Sequence, residues 1–96
     1  MHAAIRQTKL KPGTGEEVLK KANEGAVPLI TSQPGFKSYY LVLSDDDTIT
    51  TVSIFADKAA AQACNAKLVD WIKQNIGPHL DGAPKAMDGR VAISKP

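Results

Sequence analysis

Apolar residues gather in this chain at two spacings. Phe36 to Leu43 and Ile49 to Phe55 are short runs rich in aromatic and β-branched residues, Thr50, Thr51, Val52 and Ile54 among them. Such runs, bounded by turn residues, read as strands. Asp45-Asp46-Asp47 divides them. Three adjacent carboxylates repel one another and seek water, and Asp side chains bond their own backbone in turns. The stretch Pro34 to Asp57 therefore reads as a hairpin with a solvated tip. A metal site at the tip has no second acidic cluster or paired histidines to support it.

The alternation on the first strand is poor. Phe36, Ser38, Tyr40 and Val42 are expected on one face, and Lys37, Tyr39, Leu41 and Leu43 on the other. Large apolar groups then stand on both faces, whereas a sheet open to water on one side alternates cleanly. Two covers are needed. Helices of the chain can supply one, and a second copy of the protein is the simplest source of the other. Tyr39 and Tyr40 must point to opposite faces.

Helical spacing appears on either side of the hairpin. Val18, Ala22, Ala26 and Leu29 follow at intervals of four, four and three. Thr14 stands three residues before Glu17, the spacing of a capping box. Pro28 removes a backbone donor and predicts a kink near Gly25. Lys58 to Ile76 is the clearest helix. Asp57 is its expected N-cap, Gly77-Pro78 its stop, and Ala61, Cys64, Leu68, Trp71, Ile72 and Ile76 its apolar side. Asn65 falls inside that apolar sector. Ala3 to Leu10 and Met87 to Ile93 complete the set as first and last strands.

The order strand, helix, strand, strand, helix, strand is the split βαβ pattern. It predicts an α+β, ferredoxin-like βαββαβ fold: a four-stranded antiparallel sheet with both helices on one face. With 96 residues the expectation is one domain over 1–96, whose modest core favours association. Net charge is +2 and the basic residues are scattered, which argues against nucleic acid. Cys64 is the only cysteine, as suits a reducing cytoplasm. No signal segment or membrane-spanning run is evident.

Several features together resemble the antibiotic-biosynthesis-monooxygenase-like domains. They are Lys11-Pro12-Gly13 before the first helix, Val27-Pro28-Leu29-Ile30 and then Pro34-Gly35-Phe36 at the second strand, the acidic turn, Phe55-Ala56-Asp57, the Ala-rich helix reaching Trp71-Ile72, and a final Gly89-x-Val91 strand. The resemblance implies a dimeric α+β barrel, a homodimer with sheets face to face and a pocket between sheet and helices in each subunit. Some members oxidise polycyclic phenols with molecular oxygen and no cofactor, and share an Asn and a Trp four apart on the third strand. Thr51 and Phe55 stand there in this chain. Haem-degrading members use an Asn on the first strand with a Trp and a His ten apart on the second helix. Here Gln7 is near the first position, and Trp71 and His79 are eight apart.

The reading that follows is a homodimer binding a small apolar or aromatic molecule, with no cofactor and no metal. It is either a cofactor-independent monooxygenase or a non-catalytic binding or structural module. The expected pocket wall is Thr51, Phe55, Asn65 and Trp71 with one of Tyr39 and Tyr40. Arg6 faces either an anionic group or water at a sheet edge. Cys64 is expected as a small buried apolar group, Asn65 as a buried amide needing partners, His2 as terminal and mobile, and His79 as exposed.

Overall fold

The computed structural model describes residues 1–96. Strand β1 (His2–Lys9) leads to helix α1 (Gly15–Lys21), which continues through a π-helical turn (Ala22–Ala26) into α2 (Val27–Thr31). The hairpin β2 (Phe36–Leu43) and β3 (Thr48–Phe55) follows, then α3 (Lys58–Asn75), a 3₁₀ turn (Gly77–His79) and β4 (Lys85–Arg90). The four strands form one antiparallel sheet in the order β2-β3-β1-β4. This is the expected ferredoxin-like α+β fold, with both helical segments packed on one sheet face.

The expected kink is a widened turn. Pro28 has no N–H to return to Glu24, and the Val27 N–H reaches back to the carbonyl of Ala22. One extra residue in a helical turn is how a π-bulge absorbs such a break. The capping box at Thr14 does not form. Its hydroxyl instead donates to the Lys11 carbonyl at 2.7 Å, closing the Lys-Pro-Gly turn before the helix begins. Asp57 does cap α3, accepting from the Ala60 N–H at 2.8 Å.

The hairpin tip is a tight turn. Asp46 Oδ1 accepts from the Thr48 N–H at 3.1 Å, and Asp47 takes a left-handed φ of 65°. Asp is among the few L-residues that tolerate this region. Hydrogen bonds from Thr48 hold the Asp46 carboxyl below its usual range.

The alternation expected for β2 is corrected by a bulge between Phe36 and Ser38. The extra residue shifts the phase, so Phe36, Tyr39, Leu41 and Leu43 all serve the helix-covered side. This explains the poor alternation in the sequence, because a bulge places two residues against one. The Phe36 and Phe55 rings meet edge to face, with centroids 6.1 Å apart.

The two ends of the sheet also differ from expectation. β1 begins at His2, whose side chain is buried and meets Asp88 Oδ2 through Nε2 at 2.6 Å. His2 is thus a cross-strand anchor for β4 and not a mobile terminal residue. β4 spans Lys85–Arg90, earlier than the expected Met87 to Ile93, and is exposed throughout, as an outer strand paired on one edge only. Past its end, the Val91 N–H still donates to the Met1 carbonyl at 2.9 Å.

Beneath the helices, two buried clusters meet. Ala22, Ile30, Phe55 and Leu68 belong to one, Leu10, Val18, Ile49 and Ile76 to the other. Leu41, Trp71 and Ile72 pack against both and join them. The opposite face of the sheet has no cover within the chain. The register sets Tyr40, Val52, Ile5 and Met87 side by side across all four strands. Tyr40 is 61% exposed and Met87 65%. No helix of the chain is long and apolar enough to cross a membrane.

Candidate functional site

Two cavities lie between the sheet and the helices. The larger, about 260 Å³, runs between β1, the end of β3, β4 and the first half of α3; its wall includes Phe55, Gln62, Cys64, Asn65, Ala86 and Asp88. The smaller, about 190 Å³, lies deeper between the middle of the sheet and both helical segments. Tyr39, Leu41, Trp71 and Ile72 line it, with Val18 and Ala22 across from them. Only Arg6, Thr51 and Leu68 line both. Arg6 and Thr51 are directly paired across β1 and β3, so they project side by side from the sheet, and Leu68 meets them from α3. Each cavity alone is smaller than the roughly 300 Å³ at which small-molecule pockets commonly begin.

Arg6 is the side chain the cavities are arranged around. It is half-buried on the helix-facing side of β1, with Nη2 donating to Asn65 Oδ1 at 2.6 Å. No carboxylate lies within 4.0 Å of it. Burial lowers its pKa from the usual arginine value, and the nearby Tyr39 and Cys64 oppose that shift. A guanidinium keeps its proton in such a setting, so the partition carries a fixed positive charge. Of the two readings for Arg6, the edge position is excluded because β1 is an inner strand.

Tyr39 lies beside this charge. Burial pushes its hydroxyl up to about 12, although Arg6 pulls the other way. The phenol is therefore a hydrogen-bond donor at neutral pH and not a base. Burial also raises the Cys64 thiol, against the pull of Lys67 and Arg6, so Cys64 is a buried apolar group with little thiolate character. Asp88 is the one carboxylate on either wall. The His2 hydrogen bond holds it below the usual carboxylate range, which weakens it as a proton acceptor.

Of the residues expected at a pocket, Thr51, Phe55 and Asn65 line the larger cavity, and Tyr39, Thr51 and Trp71 the smaller. Tyr40 lines neither and stands on the uncovered sheet face. Asn65 is exposed at the cavity mouth, not buried, and its Oδ1 accepts there from Arg6. His79 is partly covered, with Nε2 3.6 Å from Glu17 Oε2. It is therefore less exposed than expected, since the 3₁₀ turn folds back toward α1.

Residues 1–67 match the family model for antibiotic biosynthesis monooxygenase. The chain belongs to this family. No functionally curated protein matches the sequence. Among solved structures, NE2512 from Nitrosomonas europaea, a protein of unknown function, superposes with a TM-score of 0.83 at 21% identity, over 98% of this chain and 91% of that one. SnoaB from Streptomyces nogalater, a cofactor-independent oxygenase, gives a TM-score of 0.80 at 13% identity, over 99% and 96%. The monooxygenase ActVA-Orf6 of Streptomyces coelicolor, in complex with nanaomycin D, gives 0.74 at 23% identity, over 99% and 92%. At these identities the likeness is one of fold. The family pattern and the two-cavity geometry are the separate grounds for a functional reading.

Proposed function

We propose that residues 1–96 form one domain of a homodimeric, cofactor-independent monooxygenase that acts on a small aromatic molecule in a reducing cytoplasm. The observation that carries this reading is the junction of an apolar cavity, under Trp71 and Leu41, with a half-buried cation and a hydroxyl, Arg6 and Thr51. Family membership supports the reaction class. Such chemistry rests on the substrate. An activated CH₂ or phenol loses a proton, and the resulting carbanion or enolate delivers electrons to O₂. A C–O bond forms, the peroxide takes up a proton, and loss of water leaves a carbonyl. For a CH₂ the balance is CH₂ + O₂ → C=O + H₂O, with no other reductant. Desolvation in the apolar cavity and a hydrogen bond to the substrate oxygen favour the electron-rich anion.

Dimerisation is supported by the stripe Tyr40, Val52, Ile5 and Met87, which no element of the chain covers. A second copy would bury it.

A non-catalytic binding module of the same fold is the second reading. It is favoured by the absence of a strong base on the cavity walls, where Tyr39 stays protonated and Asp88 is a weakened acceptor.

Oxygen uptake by the purified, metal-free protein with anthrone-like and hydroquinone substrates separates the two. Turnover above the uncatalysed rate, lost in Asn65→Leu and Thr51→Val, supports the oxygenase. No uptake across the panel moves the assignment to the binding module. Phe55 is a poor test position. It is 1% exposed at the centre of the core, and truncating a buried Phe costs about 3–5 kcal/mol.

A further inference from the structure

The floor of the larger cavity is built on four paired positions. Ala4 stands opposite Asp88 and Arg6 opposite Ala86, so Arg6 and Asp88 hold one diagonal across β1 and β4 and the two alanines hold the other. All four residues line the cavity. Diagonal positions in a sheet lie about 7–8 Å apart, within reach of long side chains. A cation and a carboxylate so placed can pair, yet no ion pair joins these two. Arg6 Nη2 instead donates to Asn65 on α3, and Asp88 Oδ2 meets His2 Nε2 at the start of β1. The half-buried cation is left on a neutral amide, a costly arrangement without a counter-charge. Ser53, opposite Ala4 on the other edge of β1, is 6% exposed. Its hydroxyl bonds no other group of the chain. No fully enclosed side-chain oxygen lacks a partner, so this hydroxyl opens on free space, and Ser53 lines the larger cavity. Over this floor α3 lays Ala61, Cys64 and Leu68, an apolar roof. The space is thus charged with opposite signs along its floor and apolar toward the helix.

We propose that the larger cavity binds a small aliphatic zwitterion of the amino-acid class, with its carboxylate on Arg6, its ammonium on Asp88 and its apolar part under Ala61, Cys64 and Leu68. Such a ligand supplies Arg6 with its missing counter-charge and bridges the two groups that the chain keeps apart. Asn65 and His2 are positioning residues, since each draws one of the charged groups away from the other. The volume, about 260 Å³, lies below that of common drug-sized pockets and suits a metabolite of this size. The two charges differ in weight. Arg6 is half-buried, whereas the Asp88 side chain is 50% exposed, so solvent screens the ammonium contact more than the carboxylate contact. The proposal goes beyond the oxygenase reading, and no part of it involves turnover.

The test is calorimetric titration of the full chain with two zwitterions, L-leucine and 4-aminobutanoate, whose charges are adjacent and separated. Each is run beside the analogues that lack one charge: 4-methylpentanoate and 3-methylbutylamine for the first, butanoate and propylamine for the second. At least one zwitterion is expected to bind more tightly than both of its analogues. Loss of the carboxylate should weaken binding about ten- to a hundredfold, the loss of a charge-assisted hydrogen bond, and loss of the ammonium about two- to fivefold, as for an exposed ion pair. Arg6→Gln should bring the zwitterion to the affinity of its amine analogue. Asp88→Asn should bring it to that of its carboxylate analogue and leave the carboxylate analogue itself unchanged, which also shows the cavity of that variant to be intact. Ala86→Leu, at an exposed position of the outer strand, should fill the floor and weaken every probe with no change in urea midpoint. Failure of both zwitterions to bind overturns the proposal, as does an analogue that binds as tightly as its zwitterion. Equal losses for zwitterion and carboxylate analogue in Asp88→Asn overturn it by giving Asp88 a structural role alone, and unchanged binding by Ala86→Leu overturns it by placing the ligand elsewhere. Oxygen uptake enters none of these readouts, so the amino-acid site and the oxygenase reading stand or fall separately.

Discussion

The indole Nε1 of Trp71 lies 2.6 Å from where a Cβ on residue 25 would stand. Gly25 is in the π turn, and the bare backbone there is what lets the Trp71 indole come this close to the helix while it walls the smaller cavity. Gly25→Ala is expected to cost about 1–3 kcal/mol by overpacking, although alanine is the better helix former. Urea denaturation measures the loss. A double-mutant cycle with Trp71→Phe should recover part of it, and failure to recover any would place the strain elsewhere.

Asn65→Leu is expected to change stability by no more than about 0.5 kcal/mol, as at other exposed positions, while weakening ligand binding through Arg6. If binding of an aromatic probe survives intact, Asn65 has no part in the site.

Tyr39 makes stability depend on alkaline pH. In the unfolded chain its hydroxyl ionises near pH 10; in the native state it is pushed up to about 12. Between these values the unfolded chain has lost the proton that the folded one keeps. The contribution is therefore fully present below about pH 10 and is lost as pH rises toward about 12. Tyr39→Phe should flatten that fall in urea midpoints across the range, whereas an unchanged slope would show that Tyr39 titrates freely.

Asp88 works in the opposite direction. The His2 bond depresses its pKa, so its contribution is present above the ordinary carboxylate range and fades as pH falls below about 4. Amides of β4 are expected to exchange faster there, and Asp88→Asn should bring that fast exchange to neutral pH.

Val52 lies in the middle of the uncovered stripe, opposite the helices. Val52→Lys is expected to leave the fold intact and give a monomer mass by light scattering at micromolar concentration. A monomeric wild type would refute the dimer outright.

The fold was legible in the sequence because its signals are local. The two strands of the hairpin are marked by β-branched composition and three aspartates, and α3 by its 3.6-residue stripe between Asp57 and Gly77-Pro78. Both survive in the structure. What escaped depends on distant partners. His2 is buried only because Asp88, 86 positions away, reaches it. The β2 bulge leaves no mark beyond poor alternation, so Phe36 is grouped by sequence with Tyr40 although it shares the side of Tyr39 and Leu41. The site was legible in part. Thr51, Trp71 and Asn65 were expected at a pocket by position and do line a cavity, but Arg6 stayed ambiguous, because a cation in a strand shows neither its burial nor its lack of a counter-ion until α3 is laid over it. Asn65 looked buried because a helical wheel gives the side of the helix on which a residue stands and not its exposure at that point along the chain.

The strand order has a consequence for how the molecule comes to exist. β1 is an inner strand, yet it precedes both of its partner strands in the sequence. It pairs along its whole length with residues 48–55 and, on its other edge, with residues 85–90. During synthesis it has no partner until residues 48–55 have emerged, and its second edge stays open until residues 85–90 follow. Pairings this distant pay their loop-closure entropy before they return any contact energy, which slows folding. The nascent chain thus carries Arg6 and its neighbours unpaired until β3 has emerged, and the surroundings of Arg6 are complete only once α3 and β4 have followed.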